Sequence, residues 1–238
     1  TTVMVVSFVN AGLLTLAQSI SVIFGANIGT TPTAWIIYVF GVKVEIANST
    51  IAILALATPL ILLKKSCRKS LGEFIFGFAF LFMGLAALKN NVPDLAQNPE
   101  MLQFVTNYTD MGYLSIVLFF FIGAVLTVVV QSSSATMAIT LIMCAQGWIS
   151  YEIAAAMVLG ENLGTTITAN VAALTANTSA KRAALSHFMF NMFGVLWVLV
   201  LFYPFSSAVS SLVEYFAAGS DAQTLVSFKL SSFHTCYN

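Results

Sequence analysis

The stretch Gly25-Ala26-Asn27-Ile28-Gly29-Thr30-Thr31-Pro32-Thr33-Ala34 returns 135 residues later as Gly160-Glu161-Asn162-Leu163-Gly164-Thr165-Thr166-Ile167-Thr168-Ala169, with seven of the ten positions identical. Agreement of that kind marks an internal duplication, which has to be recognised before any single element is assigned. At the same offset Gly12 falls on Gly147 and Thr1 on Thr136. Thr136 closes the polar segment Gln131-Ser132-Ser133-Ser134-Ala135-Thr136, so a first copy of Gln-Ser-Ser-Ser is expected immediately before Thr1. The chain reads as a fragment cut through its first polar motif.

The two copies sit in a sequence with the composition of a membrane protein. Of 238 residues, 59% are hydrophobic and 8% charged, whereas charged residues make up about a quarter of a soluble domain. The eighteen charges leave charge-free runs at 1–42, 46–63, 74–88, 111–151, 162–180 and 183–213, and a helical span needs only about 20 apolar residues. Several crossings fit, which predicts a multi-pass protein of a cell inner membrane or plasma membrane. Net charge is zero, so recognition of nucleic acid through a basic surface has no support. Disorder is excluded by the high hydrophobicity. Three cysteines, Cys67, Cys144 and Cys236, with no C-x-x-C spacing, suggest neither a disulfide framework nor a zinc site.

The few charges orient the chain. Lys64, Lys65, Arg68 and Lys69 cluster without acids, and Lys181-Arg182 is the other adjacent basic pair outside that cluster. The positive-inside rule places both in the cytoplasm. The loop 89–111, with Pro93, Pro99 and acidic residues, then lies outside, and the chain must return to the cytoplasm between 111 and 180 by an odd number of crossings. The first repeat ends outside, near Lys43 and Glu45, and the second inside, near Thr178. The repeats are therefore expected to be inverted. This divides the chain into a first repeat (1–45), connecting helices with a basic loop at 64–70 and an external loop at 89–111 (46–111), a second repeat (112–202), and a loop leading into a further helix (203–238).

Inverted repeats whose apolar segments are interrupted by polar blocks are the pattern of secondary transporters, which place their site near the bilayer midplane where helices unwind. Run 111–151 is too long for one straight span, so it must break, tilt or fold back as a hairpin. The expected fold is all-α and polytopic, with inverted-topology repeats, broken helices and re-entrant hairpins. The serine triplet can supply hydroxyls and free backbone N–H groups at a half-helix N-terminus to an anion stripped of water. Its alternative role is close helix packing, though three consecutive serines point in different directions around a helix. Asn27 and Asn162, each followed by Gly-Thr-Thr, offer oxygens suited to a hard cation, with glycines that let carbonyls turn inward. The competing reading is a helix start, with Asn as N-cap and Thr bonding locally. Glu161, where the first copy has Ala26, fits either a coupling group or an interfacial acid. His187 with Asn191 and His234 with Asn238 share a spacing that puts each pair on one helix face; packing is the simpler reading of both.

These residues resemble the sodium-dependent phosphate cotransporter family, the type II group with its bacterial members. The resemblance rests on Gln131-Ser132-Ser133-Ser134-Ala135-Thr136, the two Gly-x-Asn-x-Gly-Thr-Thr blocks and His187-Phe188-Met189-Phe190-Asn191, and it covers most of the chain. It implies an inverted-repeat symporter whose two Gln-Ser-Ser-Ser segments meet at the centre. By the same analogy Gln131, Ser132, Ser133 and Ser134 bind inorganic phosphate. Asn27, Thr30, Thr31, Asn162, Thr165 and Thr166 bind sodium or line the site. No cofactor or other metal is implied; sodium is the coupling ion, and the other partners are phosphate and the lipid bilayer, with a homo-oligomer compatible with these features. Two departures stand out: the first Gln-Ser-Ser-Ser is absent, and Ala52 and Leu56 occupy the positions equivalent to His187 and Asn191. The external loop lacks the cysteines of animal members, which points to a bacterial source.

The alternative from the same neutral donors is a channel or carrier for another small anion. An intramembrane hydrolase is disfavoured, because no Gly-x-Ser-x-Gly elbow is present and no acid near in sequence orients a histidine. The chain is expected not to be an enzyme.

Overall fold

In a bilayer every backbone polar group has to be satisfied within the protein, so apolar runs of this length fold as helices. A computed structural model describes residues 1–43, 49–63, 66–91, 107–217, 219 and 221–238, and among them there is no strand. The helices are α1 (Thr2–Asn10), α2 (Leu16–Ile36, continued by a π-helical segment Ile37–Lys43), α3 (Thr50–Ile61), α4 (Ser66–Asn91), α5 (Tyr113–Val130), α6 (Ser133–Ala145), α7 (Tyr151–Ala172), α8 (Thr178–Val200), α9 (Phe202–Phe216) and α10 (Ala222–Tyr237). Among the described residues four segments are long and apolar enough to cross a membrane, Leu16–Phe40, Cys67–Ala87, Tyr113–Val130 and Thr178–Val200. Large apolar side chains such as Ile51, Leu56, Val129, Phe193 and Val200 are exposed on the outside, as lipid contact requires. Lys64, Lys65, Glu45 and residues 92–106 of the external loop lie outside the described residues.

The duplication in sequence is a duplication of helical hairpins. The α1–α2 and α6–α7 hairpins match position for position at an offset of 135: α1 ends at Asn10 and α6 at Ala145, while α2 begins at Leu16 and α7 at Tyr151. Their turns carry Gly12 at φ +75 and Gly147 at φ +74, a region that glycine enters without a Cβ penalty. Their second helices are capped at equivalent residues. Thr15 accepts from Gln18 N within a capping box, and Ser150 accepts from Ile153 N.

Inversion of the hairpins follows from where their ends meet. Asn10, beside the first turn, binds Asn177 just beyond the C-terminal end of α7: Asn177 N donates to Asn10 Oδ1 at 2.7 Å, and Asn177 Nδ2 to Asn10 O at 3.1 Å. The second turn stands at the opposite, N-terminal end of α7. At that end too, α2 finishes against α10. Trp35 Nε1 donates to Thr235 Oγ1 and Ser231 Oγ to Ala34 O, while Phe233 of α10 packs against Tyr151. Helices α2 and α7 thus run in opposite directions, as the charge asymmetry predicted.

The long run 111–151 breaks at Gln131, the only described non-glycine residue with positive φ (φ 57, ψ 24). Ser132 then starts α6 as its N-cap, accepting from Ala135 N at 3.2 Å. Helix α5 lies parallel to α7, because Phe120 meets Gly160 and Ala124 meets Gly164. The approach is backbone to backbone. A Cβ on Gly160 would strike the Phe120 carbonyl, and one on Gly164 would lie 2.6 Å from the Ala124 carbonyl, so Gly160-x-x-x-Gly164 acts as a small-residue packing face. Around this contact the core is built from Ile116, Phe119, Phe120, Met137, Leu141, Ile153 and Met157–Leu159, and a second cluster joins Val5, Val6, Val9 and Ile23 to Ala180, Ala183 and Ala184 of α8.

One expectation is corrected. The Gly-x-Asn-x-Gly-Thr-Thr blocks do not unwind their helices, and neither Asn27 nor Asn162 is an N-cap: α2 and α7 run through both blocks unbroken. The physical reason is local. Thr30, Thr31, Thr165 and Thr166 donate to the carbonyls of Asn27, Ile28, Asn162 and Leu163 at 2.6–2.8 Å, which satisfies the hydroxyls inside the helix. In α2 this bonding also repairs a gap. Pro32 has no N–H for the Ile28 carbonyl, and Thr31 Oγ1 takes that place at 2.8 Å.

Candidate functional site

Helix α7 has 22 residues and so is about 33 Å long, close to the thickness of a bilayer's hydrocarbon core. Glu161 and Asn162 stand at its midpoint. There a small cleft of about 280 Å³, part of it open to solvent, is lined by Thr30, Thr33, Ser133, Ser134, Met137, Glu161, Asn162 and His234. Each element delivers its residues for a local reason. The break at Gln131 turns the chain so that Ser133 and Ser134 form the first turn of α6. The continuous helices α2 and α7 bring Thr30 and Thr33 of one repeat and Glu161 and Asn162 of the other to the same cleft.

The structure distributes the predicted residues unevenly. Ser133, Ser134, Thr30 and Asn162 line the cleft together. Ser132 caps α6, and Gln131, exposed and left-handed, ends α5 away from the lining. Thr31 and Thr166 are buried and Thr165 is half-buried, all three bonded back to their own helices. Asn27 lies in a separate polar cluster, where His187 Nε2 donates to its Oδ1 at 3.2 Å. Asn191 of the same His-x-x-x-Asn pair returns its amide to the His187 carbonyl at 3.0 Å.

Thr33 was not singled out by sequence, while Glu161 was weighed as a coupling group or an interfacial acid and His234 as a packing residue. Thr33 had a signal, since it belongs to the repeated block and matches Thr168. His234 and Glu161 are 73 residues apart in sequence, and only the packing of α10 on α7 unites them. Glu161 is 3% exposed and accepts from Thr140 Oγ1 at 2.6 Å. His234 is 7% exposed, and its Nδ1 has no partner; among the described residues Asn27 Nδ2, His187 Nδ1 and Thr127 Oγ1 are the other buried side-chain polar atoms without one. Orphans of this kind are rare in native structures and call for an occupant or a function.

Chemically, the lining offers hydroxyls, an amide, an imidazole and one carboxylate, but no lysine or arginine. Among the described residues no group of three or more His, Cys, Asp or Glu side chains forms a metal cluster.

Comparison with known proteins decides the family. The family described as Na+/Pi-cotransporter matches residues 1–90 and 96–218. The chain belongs to this family. It is 30% identical over 228 residues to the uncharacterized protein YqeW of Bacillus subtilis (strain 168), covering 96% of this chain and 70% of that protein. It is 26% identical over 213 residues to YjbB of Salmonella typhimurium, named as a candidate inorganic phosphate export protein, covering 89% of this chain and 38% of the relative. A shorter match, 42% identical over 123 residues, is to sodium-dependent phosphate transport protein 2A of Ovis aries, covering 49% of this chain and 18% of that protein. No solved structure matches the chain. Membership of a transporter family, with several apolar helices, makes this cotransporter-family chain a multi-pass membrane protein.

Proposed function

We propose that this protein moves inorganic phosphate across the cell membrane together with sodium, by alternating access at the interface of its two inverted hairpins. The observation that carries this reading is the convergence of both repeats on one cleft halfway along α7, with Thr30 and Thr33 from the first facing Ser133, Ser134 and Asn162 from the second. Hydroxyls and the free N–H groups of the α6 first turn can replace water around a phosphate. With no lysine or arginine in the lining, the charge of the anion has to be balanced by co-bound cations, which the oxygen donors of the same cleft can hold. Such a site binds without fixed positive charge and can therefore release its cargo. Ser133 and Ser134 serve as phosphate donors, with Gln131 and Ser132 shaping the turn that presents them. Thr30 and Asn162 serve as sodium or lining ligands, and Asn27, Thr31, Thr165 and Thr166 hold the helices that carry them.

Phosphate uptake into vesicles carrying the full-length protein tests the reading. Uptake that collapses when sodium is replaced by choline or potassium is expected, while uptake indifferent to sodium removes the coupling. The names of the YjbB relatives favour a second reading, net movement outward. Efflux from phosphate-loaded vesicles under inward and outward sodium gradients assigns the direction. Competition by sulfate, arsenate and chloride separates a phosphate carrier from a pathway for small anions in general.

A further inference from the structure

A buried carboxylate inside a membrane is costly unless an opposite charge accompanies it. Among the described residues Glu161 has none. The cleft lining contains no lysine or arginine, and the ion pairs among the described residues join Lys69 to Glu73 and Lys229 to Glu214, far from it in sequence and on other helices. Among the described residues its carboxylate accepts a hydrogen bond from a neutral hydroxyl, Thr140 Oγ1. Around it stand oxygen donors suited to a small hard cation: the hydroxyls of Thr30, Ser133 and Ser134, and Asn162, whose Nδ2 donates to the Val158 carbonyl at 3.3 Å and so leaves Oδ1 for the cleft. A second observation independently calls for an occupant. His234 is 7% exposed, lines the same cleft and has an unpartnered Nδ1.

We propose that the Glu161 carboxylate is an anionic ligand for a monovalent cation, sodium, bound in this cleft beside Thr30, Ser133, Ser134 and Asn162. The assignment deepens the sodium-coupled reading above and rests on it. It also makes the two halves of the duplication unequal. The equivalent of Glu161 in the first repeat is Ala26, so the second repeat alone supplies a negative charge to the cleft. The charged half of the site holds its cation with or without phosphate, whereas a site built from hydroxyls and amides alone depends on the anion to balance the cation.

Sodium binding to the full-length protein, purified and held without phosphate at a pH well above the carboxylate range, tests this. The readouts are radiolabelled sodium retention and the sodium-induced rise in thermal stability. Glu161→Gln is expected to weaken apparent sodium affinity by roughly tenfold or more, the scale of a lost bond to a charged group. Glu161→Asp is expected to fall between it and the wild type, and Thr140→Val, which leaves the carboxylate but not its partner, to have a smaller effect. Wild-type sodium affinity in a folded Glu161→Gln protein overturns the assignment. If that variant does not fold, unchanged affinity in both Glu161→Asp and Thr140→Val overturns it equally. A wild-type protein that does not respond to sodium at all removes the coupled reading itself, whereas a responsive wild type with unaffected variants removes only the role of Glu161.

Discussion

Ser133 and Ser134 owe their place in the cleft to their neighbour Gln131, whose left-handed backbone ends α5 and lets Ser132 cap α6. The break was legible in the sequence, and two of the four residues of the serine motif, Ser133 and Ser134, line the cleft. What could not be read was the division of labour within it, because only backbone geometry separates a residue that makes the turn from one that faces the ligand. The same applies to Glu161 and His234. No local pattern pairs residues from α7 and α10, and sequence distance had argued against an acid near that histidine. Ser133→Ala removes one hydroxyl donor while leaving the Ser132 cap intact. A hydrogen bond to a charged group contributes about 1.5–3 kcal/mol, so phosphate affinity is expected to fall roughly tenfold to a hundredfold with little change in expression. Phosphate concentration dependence of transport checks this, and unchanged kinetics would take Ser133 out of the site.

At the scale of elements, the repeated block proves to be a packing device as much as a polar one. Sequence reasoning took its glycines as points where a helix could open. In α7 they do the reverse: Gly160 and Gly164 let α5 approach until backbone meets backbone, and the threonines close the helix by bonding to carbonyls three residues back. The positions of helix starts and turns were legible because caps and turn glycines obey local rules, and Thr15, Ser150, Gly12 and Gly147 recur at the offset of the duplication. Contact between α5 and α7 was not, since it depends on the absence of a side chain at a crossing point. Gly160→Ala is expected to destabilise the protein by about 1–3 kcal/mol, the usual cost of forcing an extra carbon into a packed interface. The Phe120 carbonyl that its Cβ would strike belongs to a helix and cannot swing aside. A lowered unfolding temperature in detergent, with a proportionate loss of transport, is the expected result; wild-type stability would mean that α5 and α7 are not held this closely.

For the whole molecule, two independent lines lead to inversion. One is the distribution of basic residues; the other is the geometry that sets the α1–α2 turn beside Asn177 and the α6–α7 turn at the far end of α7. Neither uses the other's observations. Under the proposed alternating-access reading, one hairpin closes the shared cleft from one side and the other hairpin closes it from the opposite side. The two turns should therefore face opposite compartments. In a full-length protein with Cys67, Cys144 and Cys236 replaced, cysteines introduced as Ala11→Cys and Gln146→Cys are expected to react with a membrane-impermeant thiol reagent from opposite sides. With Lys181-Arg182 in the cytoplasm, the Ala11→Cys turn, tied to Asn177, is reached from the cytoplasmic face and the Gln146→Cys turn from outside. Labelling of both from the same side would contradict the inverted hairpins, and with them the placement of one shared cleft between the repeats.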